Sequence, residues 1–130
     1  MIVVDTSALM AIVLAEPSAD SCMTVIEMAD EAIISAGSLA EALLVATRRD
    51  KRREMAALIE GAGIVVSDVT TPSAYRVADA HARWGKGVHP AGLNFGDCFA
   101  YALAKERGCP LLYVGNDFAQ TDIASAIELG

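Results

Sequence analysis

Short apolar runs alternate along the chain with longer stretches whose apolar residues recur at helical spacing. Residues 2–4 are a β-branched run that ends at the polar step Asp5-Thr6-Ser7, the pattern of a short buried strand. Thr6 or Ser7 is placed to cap a helix over 8–14 that stops before Pro17, and a second helix is predicted over 19–28. Residues 32–35 read as a second strand closed by Gly37. Ser38 opens a helix to about Arg49, and another spans about 51–60 before Gly61 and Gly63. A third strand covers 64–66. Thr71-Pro72 starts a helix that ends near Trp84-Gly85, with proline where its missing N–H costs nothing. Residues 85–93, with Gly85, Gly87, Pro90 and Gly92, form a loop. Asn94 caps a helix through Arg107 that Gly108 and Pro110 end. A fourth strand over 111–114 leads into Gly115-Asn116-Asp117.

Strands that are unbroken apolar runs, each followed by helix, imply a parallel sheet covered on both faces. The expected fold class is therefore α/β: a three-layer α/β/α domain around a central, mainly parallel sheet of four or five strands. A chain of 130 residues fits one compact domain. At 54 % hydrophobic residues and 5 % aromatics, its core must be built from Ala, Val, Ile and Leu.

Three further features bear on function. The opening has no basic n-region, and the apolar run at 8–15 is too short to span a bilayer, so a cytoplasmic protein with no membrane partner is expected. Cys22, Cys98 and Cys109 form no C-x-x-C pair and leave one thiol over in any disulfide scheme, which argues for reduced thiols and against a zinc site. The net charge of −7 argues against general nucleic-acid binding. A carboxylate site that holds divalent cations softens that objection, as does the basic run from Arg48 to Arg53.

Four acids stand where such a site forms. Asp5 follows the first strand and Asp117 the fourth, while Glu41 and Asp97 each lie three residues after a helix cap, Ser38 or Asn94. In open parallel sheets, sites form beyond the carboxyl ends of the strands, where strand order reverses. Mg²⁺ and Mn²⁺ favour carboxylate oxygens, and two such ions about 3.5–4 Å apart can activate water and stabilise a leaving oxygen. Without a cation, packed carboxylates would repel. Each acid also has a structural reading: Glu41 in an S-x-x-E capping box, Asp97 at a helix dipole, Asp117 in a turn. Asp5, ending a buried strand, needs a partner in any case.

The residues around these acids resemble one family. Ile2-Val3-Val4-Asp5-Thr6-Ser7-Ala8-Leu9, Ser38-Leu39-Ala40-Glu41, the block from Gly92 to Ala104 around Asp97, and Gly115-Asn116-Asp117-Phe118 with Thr121-Asp122-Ile123 are similar to PIN-domain nucleases. The match is closest to the VapC toxins of type II toxin–antitoxin pairs and covers 1–130 as a single PIN domain. The resemblance implies a Mg²⁺- or Mn²⁺-dependent endoribonuclease, commonly a homodimer, inhibited by a VapB-like antitoxin. It implies Asp5 and Asp97 as metal ligands, Glu41 completing the first metal site or holding its water, and Asp117 acting directly or through water. Thr6 and Asn116 would steady the carboxylates from behind. Asp122 is a fifth acid nearby.

Arg48 lies seven positions after Glu41, on nearly the same helix face, and is a candidate for an RNA phosphate; a solvated helix end, where cations favour the C-terminal dipole, explains it more simply. His81 and His89 are too separated to suggest a histidine acid–base pair. Trp84 and Tyr75 are expected in a core or dimer face, and Met10, Ile12, Val13 and Leu14 in an apolar stripe. Receiver domains and haloacid-dehalogenase-like enzymes fit poorly, because Ser7 stands where the latter carry a second aspartate and Gly115 where the former carry lysine. No nucleotide-binding glycine motif occurs. The remaining alternatives are a catalytically silent PIN-type binding module and a metal-dependent DNA nuclease. The expected chemistry is attack by metal-activated water, leaving 5′-phosphate and 3′-hydroxyl ends.

Overall fold

The computed structural model describes residues 1–127. In chain order its elements are β1 (Ile2–Val4), α1 (Thr6–Val13), α2 (Ala19–Met28), β2 (Ala32–Ser35), α3 (Ala36–Arg48), α4 (Arg52–Gly61), β3 (Val65–Ser67), α5 (Thr71–Trp84), α6 (Phe95–Arg107) and β4 (Leu111–Leu112), followed by a single 3-10 turn, Phe118–Gln120. The sheet has four strands in the order β3-β2-β1-β4. Every pairing is parallel, with Val3 opposite Ile33 and Leu111, and Ile33 opposite Val65.

Alternation along these strands divides the apolar residues between two cores, since successive side chains point to opposite faces. Ile2, Val4, Ile34 and Leu112 pack against Leu9, Cys22, Ile26, Ala42, Met55 and Ile59 of α1 to α4. Val3, Ile33 and Leu111 pack against Val77 and Trp84 of α5 and Cys98 and Leu103 of α6. Each fully buried aliphatic side chain contributes about 1.5–3 kcal/mol. Helices on both faces make the three-layer α/β/α arrangement that the pattern predicts.

The structure revises several boundaries. α1 starts at Thr6 with Asp5 itself as its cap, and α3 starts at Ala36 with Ser35 as its cap. Gly37, expected to close β2, lies inside α3, where the ring of Phe99 occupies the space a Cβ would need. β3 is an edge strand, and Val65 and Val66 are exposed rather than buried. β4 keeps only two residues, and the chain beyond it returns as one parallel bridge between Leu111 and Ser125, not a fifth strand. Tyr75, expected in a core or dimer face, is exposed. Trp84 is buried in the α5–α6 core, and Met10 is buried with Ile12, Val13 and Leu14 partly so. Cys22, Cys98 and Cys109 are free thiols. No helix among the described residues is long and apolar enough to cross a membrane.

Candidate active site

From β1 the chain steps outward to β2 and β3, then returns to place β4 on the other side of β1. Strand order therefore reverses between β1 and β4, and the region beyond their carboxyl ends is where open parallel sheets place a binding crevice. Asp5 leaves β1 directly into this crevice, and residues 115–117 follow β4 into it.

Asp5 is only 2 % exposed. As the cap of α1 it accepts through Oδ2 from the Ser7 backbone N–H at 3.0 Å and the Ser7 hydroxyl at 2.6 Å. Ser7 Oγ in turn accepts from the Val114 N–H at 3.0 Å, so one hydroxyl ties Asp5 to the end of β4. The other oxygen, Oδ1, is buried with no hydrogen-bond partner. Burial pushes the Asp5 carboxyl up to about 7 against the pull of the two Ser7 hydrogen bonds, and the charges of Asp97 and Glu41 push the same way.

Because α3 starts early, Glu41 sits in its second turn and takes no part in a capping box with Ser38. Ser38 is instead buried, and its carbonyl accepts from Thr6 Oγ1 at 3.1 Å. That bond joins α1 to α3. Thr6 thus serves a backbone carbonyl, and the side chain that holds the Asp5 carboxylate is Ser7. The Glu41 carboxylate lies against Gly96: a Cβ built there would collide with Glu41 Oε2. Gly96 is in the first turn of α6, whose dipole favours negative charge.

Asp97 closes a reciprocal capping box with Asn94. Its Oδ2 accepts from the Asn94 N–H at 3.0 Å, and Asn94 Oδ1 accepts from the Asp97 N–H at 2.8 Å. Burial raises its carboxyl to about 6, opposed by the Asn94 hydrogen bond and reinforced by the charges of Glu41 and Asp117. Asp117 is exposed at the start of the 3-10 turn, after Gly115 takes the left-handed conformation at φ 106°. Asn116 is exposed beside it, and Arg48 is exposed as the last residue of α3, about two turns beyond Glu41.

The four acids form one charge-coupled chain: Asp5 senses Asp97 and Glu41, and Asp97 senses Glu41 and Asp117. Among the described residues, however, no three Asp, Glu, His or Cys side chains form a ready-made metal cage. Mg²⁺ keeps several waters rather than demanding a closed protein cage. The donor set fits such an ion. All its donors are oxygens, and Oδ1 of Asp5 is buried with no hydrogen-bond partner, free to face a cation.

Asp122 plays a different part. Its carboxylate accepts from Tyr101 Oη at 2.5 Å and Lys105 Nζ at 3.2 Å, and Arg83 lies 3.7 Å away. These partners hold it below the usual carboxylate range, the Tyr101 hydrogen bond most of all. His89 Nδ1 accepts from the Ala91 N–H at 3.0 Å and its ring meets Trp84 edge-on, so it shapes the 85–93 loop. The hold of Ser7 on the Asp5 carboxylate and the contact of Gly96 with Glu41 were not read from sequence. The Asp-x-Ser spacing that lets a carboxylate bond two residues on was a signal for the first, and a glycine inside a helix was a signal for the second.

Comparison with known proteins agrees with this architecture. The family model described as the PIN domain matches residues 2–124. The chain is 42 % identical over 130 residues to ribonuclease VapC28 of Mycobacterium tuberculosis, covering 97 % of this chain and 98 % of the relative. Its fold is similar to the crystal structure of M. tuberculosis VapC20, a sarcin-ricin-loop-cleaving toxin, with a TM-score of 0.77 at 18 % identity over 95 % of this chain and 97 % of that one. It is similar also to a toxin–antitoxin complex from Klebsiella pneumoniae, with a TM-score of 0.74 at 14 % identity over 99 % of this chain and 100 % of that one.

Proposed function

The chain belongs to the PIN-domain family, and from that membership we propose that it is a Mg²⁺- or Mn²⁺-dependent endoribonuclease, the toxin of a toxin–antitoxin pair. The observation that carries this reading is the buried, orphaned Oδ1 of Asp5 beside the charges of Glu41 and Asp97 at the β1–β4 crevice. The near-full-length relatives named as ribonucleases support RNA as substrate.

When bound, a divalent ion supplies an acidified water and a positive charge against the phosphodiester oxygens. Asp5, through Oδ1, and Asp97 are the ligands that would hold it. The carboxylate of Glu41, pressed on Gly96, completes the site or orients a water by accepting its proton in a hydrogen bond. Asp117, exposed at the mouth, acts through water, and Ser7 fixes the direction of the Asp5 carboxylate. Arg48 is proposed as a phosphate contact for the RNA strand, and Asn116 as a support for the Asp117 loop. The protein works in the cytoplasm as a homodimer, held inactive by a VapB-like antitoxin.

The test is cleavage of single-stranded RNA by the purified toxin with Mg²⁺ or Mn²⁺ and with EDTA, followed by mapping of the new ends. Cutting is expected only with metal, leaving 5′-phosphates, and is lost in Asp97→Asn. Ends carrying 2′,3′-cyclic phosphate, or cutting unaffected by EDTA, overturn the mechanism.

A further inference from the structure

We propose that Asp122, gripped by Tyr101 and Lys105, is a positioning residue that fixes Asp117 relative to Asp97. The proposal rests on reading the four acids as a metal site. Among the described residues Asp117 is exposed, and its side chain makes no capping bond to the turn that it starts. Its place is set by the backbone on either side, so whatever anchors that backbone places the carboxylate.

The anchor lies five residues on. Tyr101 is 5 % exposed and Trp84 9 % exposed, inside the α5–α6 core. The Trp84 indole N–H donates to Tyr101 Oη at 2.8 Å, and Tyr101 Oη donates to Asp122 Oδ1 at 2.5 Å. A buried indole and phenol must place their polar tips, and Asp122 ends this relay with a charge that Lys105 and Arg83 neutralise. The segment between anchor and site is itself braced. Phe118 is buried against Tyr113, the Thr121 hydroxyl donates to the Phe118 carbonyl at 2.7 Å, and it accepts from the Ile123 N–H at 3.2 Å. Beyond it the chain rejoins β4, where the Leu111 N–H donates to the Ala124 carbonyl at 2.9 Å.

The sequence spacing on α6 makes this anchor specific to the site. Asp97, Tyr101 and Lys105 follow one another at intervals of four and share one face of the helix. One rigid helix therefore carries Asp97 at its start and the grip on Asp122 one and two turns later. The two carboxylates whose charges meet at the crevice mouth are referenced to the same body.

Asp122→Ala is expected to weaken Mn²⁺ binding, measured by calorimetry, about tenfold, as loss of a supporting partner typically does, and to lower kcat for RNA cleavage by a similar factor. In an Asp117→Asn background the same substitution is expected to change both by less than twofold, while lowering the melting temperature of the metal-free protein equally in both backgrounds. A merely structural role moves the melting temperature alone. Tyr101→Phe, which removes one hydroxyl and keeps the ring, provides the same comparison if Asp122→Ala does not fold. Unchanged Mn²⁺ affinity in the single variants, or equal losses in both backgrounds, overturns the proposal. Absence of Mn²⁺ binding by the unsubstituted protein overturns the metal reading itself, and the proposal with it.

Discussion

In the protein without a cation, a charged Asp5 is buried with one oxygen on Ser7 and the other facing no donor. The fold tolerates this only by raising the carboxyl to about 7, chiefly through burial. Replacing the carboxylate by an amide keeps an oxygen for Ser7 and removes the charge. Asp5→Asn is therefore expected to raise the melting temperature of the metal-free protein at pH 8 while abolishing metal-dependent cleavage. Melting curves and an RNA cleavage assay on the same preparation check this. A variant that is both inactive and less stable would show that Asp5 holds the fold rather than a cation. On the proposed function, the conflict between stability and activity is greatest at this side chain, the more deeply buried of the two raised carboxylates.

At the scale of elements, α6 meets α3 through a glycine. The Glu41 carboxylate fills the space next to Gly96 that any side chain would take. Gly→Ala in a helix ordinarily adds about 0.5–1 kcal/mol, so Gly96→Ala would be favourable if the helix stood alone. Here it is expected to displace Glu41 and cut cleavage at least about tenfold, an effect typical of disturbed metal-site geometry. Circular dichroism should show the helical content unchanged. Activity within twofold of the unsubstituted protein would separate Glu41 from the reaction. The helices themselves were legible: the expected spans 19–28, 71–84 and 95–107 coincide with those observed, the last with its cap Asn94. The start of α3 was not, because Ser35 and Ser38 are both acceptable caps. Ser35 is the cap used, accepting from the Gly37 N–H at 3.2 Å.

For the molecule as a whole, the site couples folding to pH. An unfolded aspartate has a pKa of 3.8, whereas Asp5 in the fold stands at about 7 and Asp97 at about 6. As pH rises from 4, the unfolded chain releases these protons and the folded chain retains them, so stability falls until both are lost in each state. For Asp5 the penalty is on the order of 4 kcal/mol and complete above pH 7. The metal-free protein is therefore expected to melt higher at pH 5 than at pH 8. On the metal reading proposed above, Mg²⁺ would bind the deprotonated carboxylates of the folded state, and its stabilisation is expected to be large at pH 8 and small at pH 5. Calorimetric scans across this pH range, with Mg²⁺ and with EDTA, check both. A melting temperature that rises with pH in EDTA would contradict the buried, cation-less carboxylate.

Local physics made much of this protein readable from its chain. Strand and helix periods, caps and breakers act over a few residues, so the order of elements, the parallel three-layer class and the acid at the end of β1 follow from them. Strand order and the side chains that cross between elements depend on which surfaces bury against which, over separations that no local pattern records. The reversal between β1 and β4 brings Asp5 and Asp117 to one crevice. The bond from the Val114 N–H to Ser7 spans 107 residues, and the fit of Glu41 on Gly96 joins two helices far apart in sequence. The same long-range packing turns Asp122 away from the crevice and into the grip of Tyr101. Tertiary structure decided these, because only a folded chain brings such distant atoms within hydrogen-bonding distance.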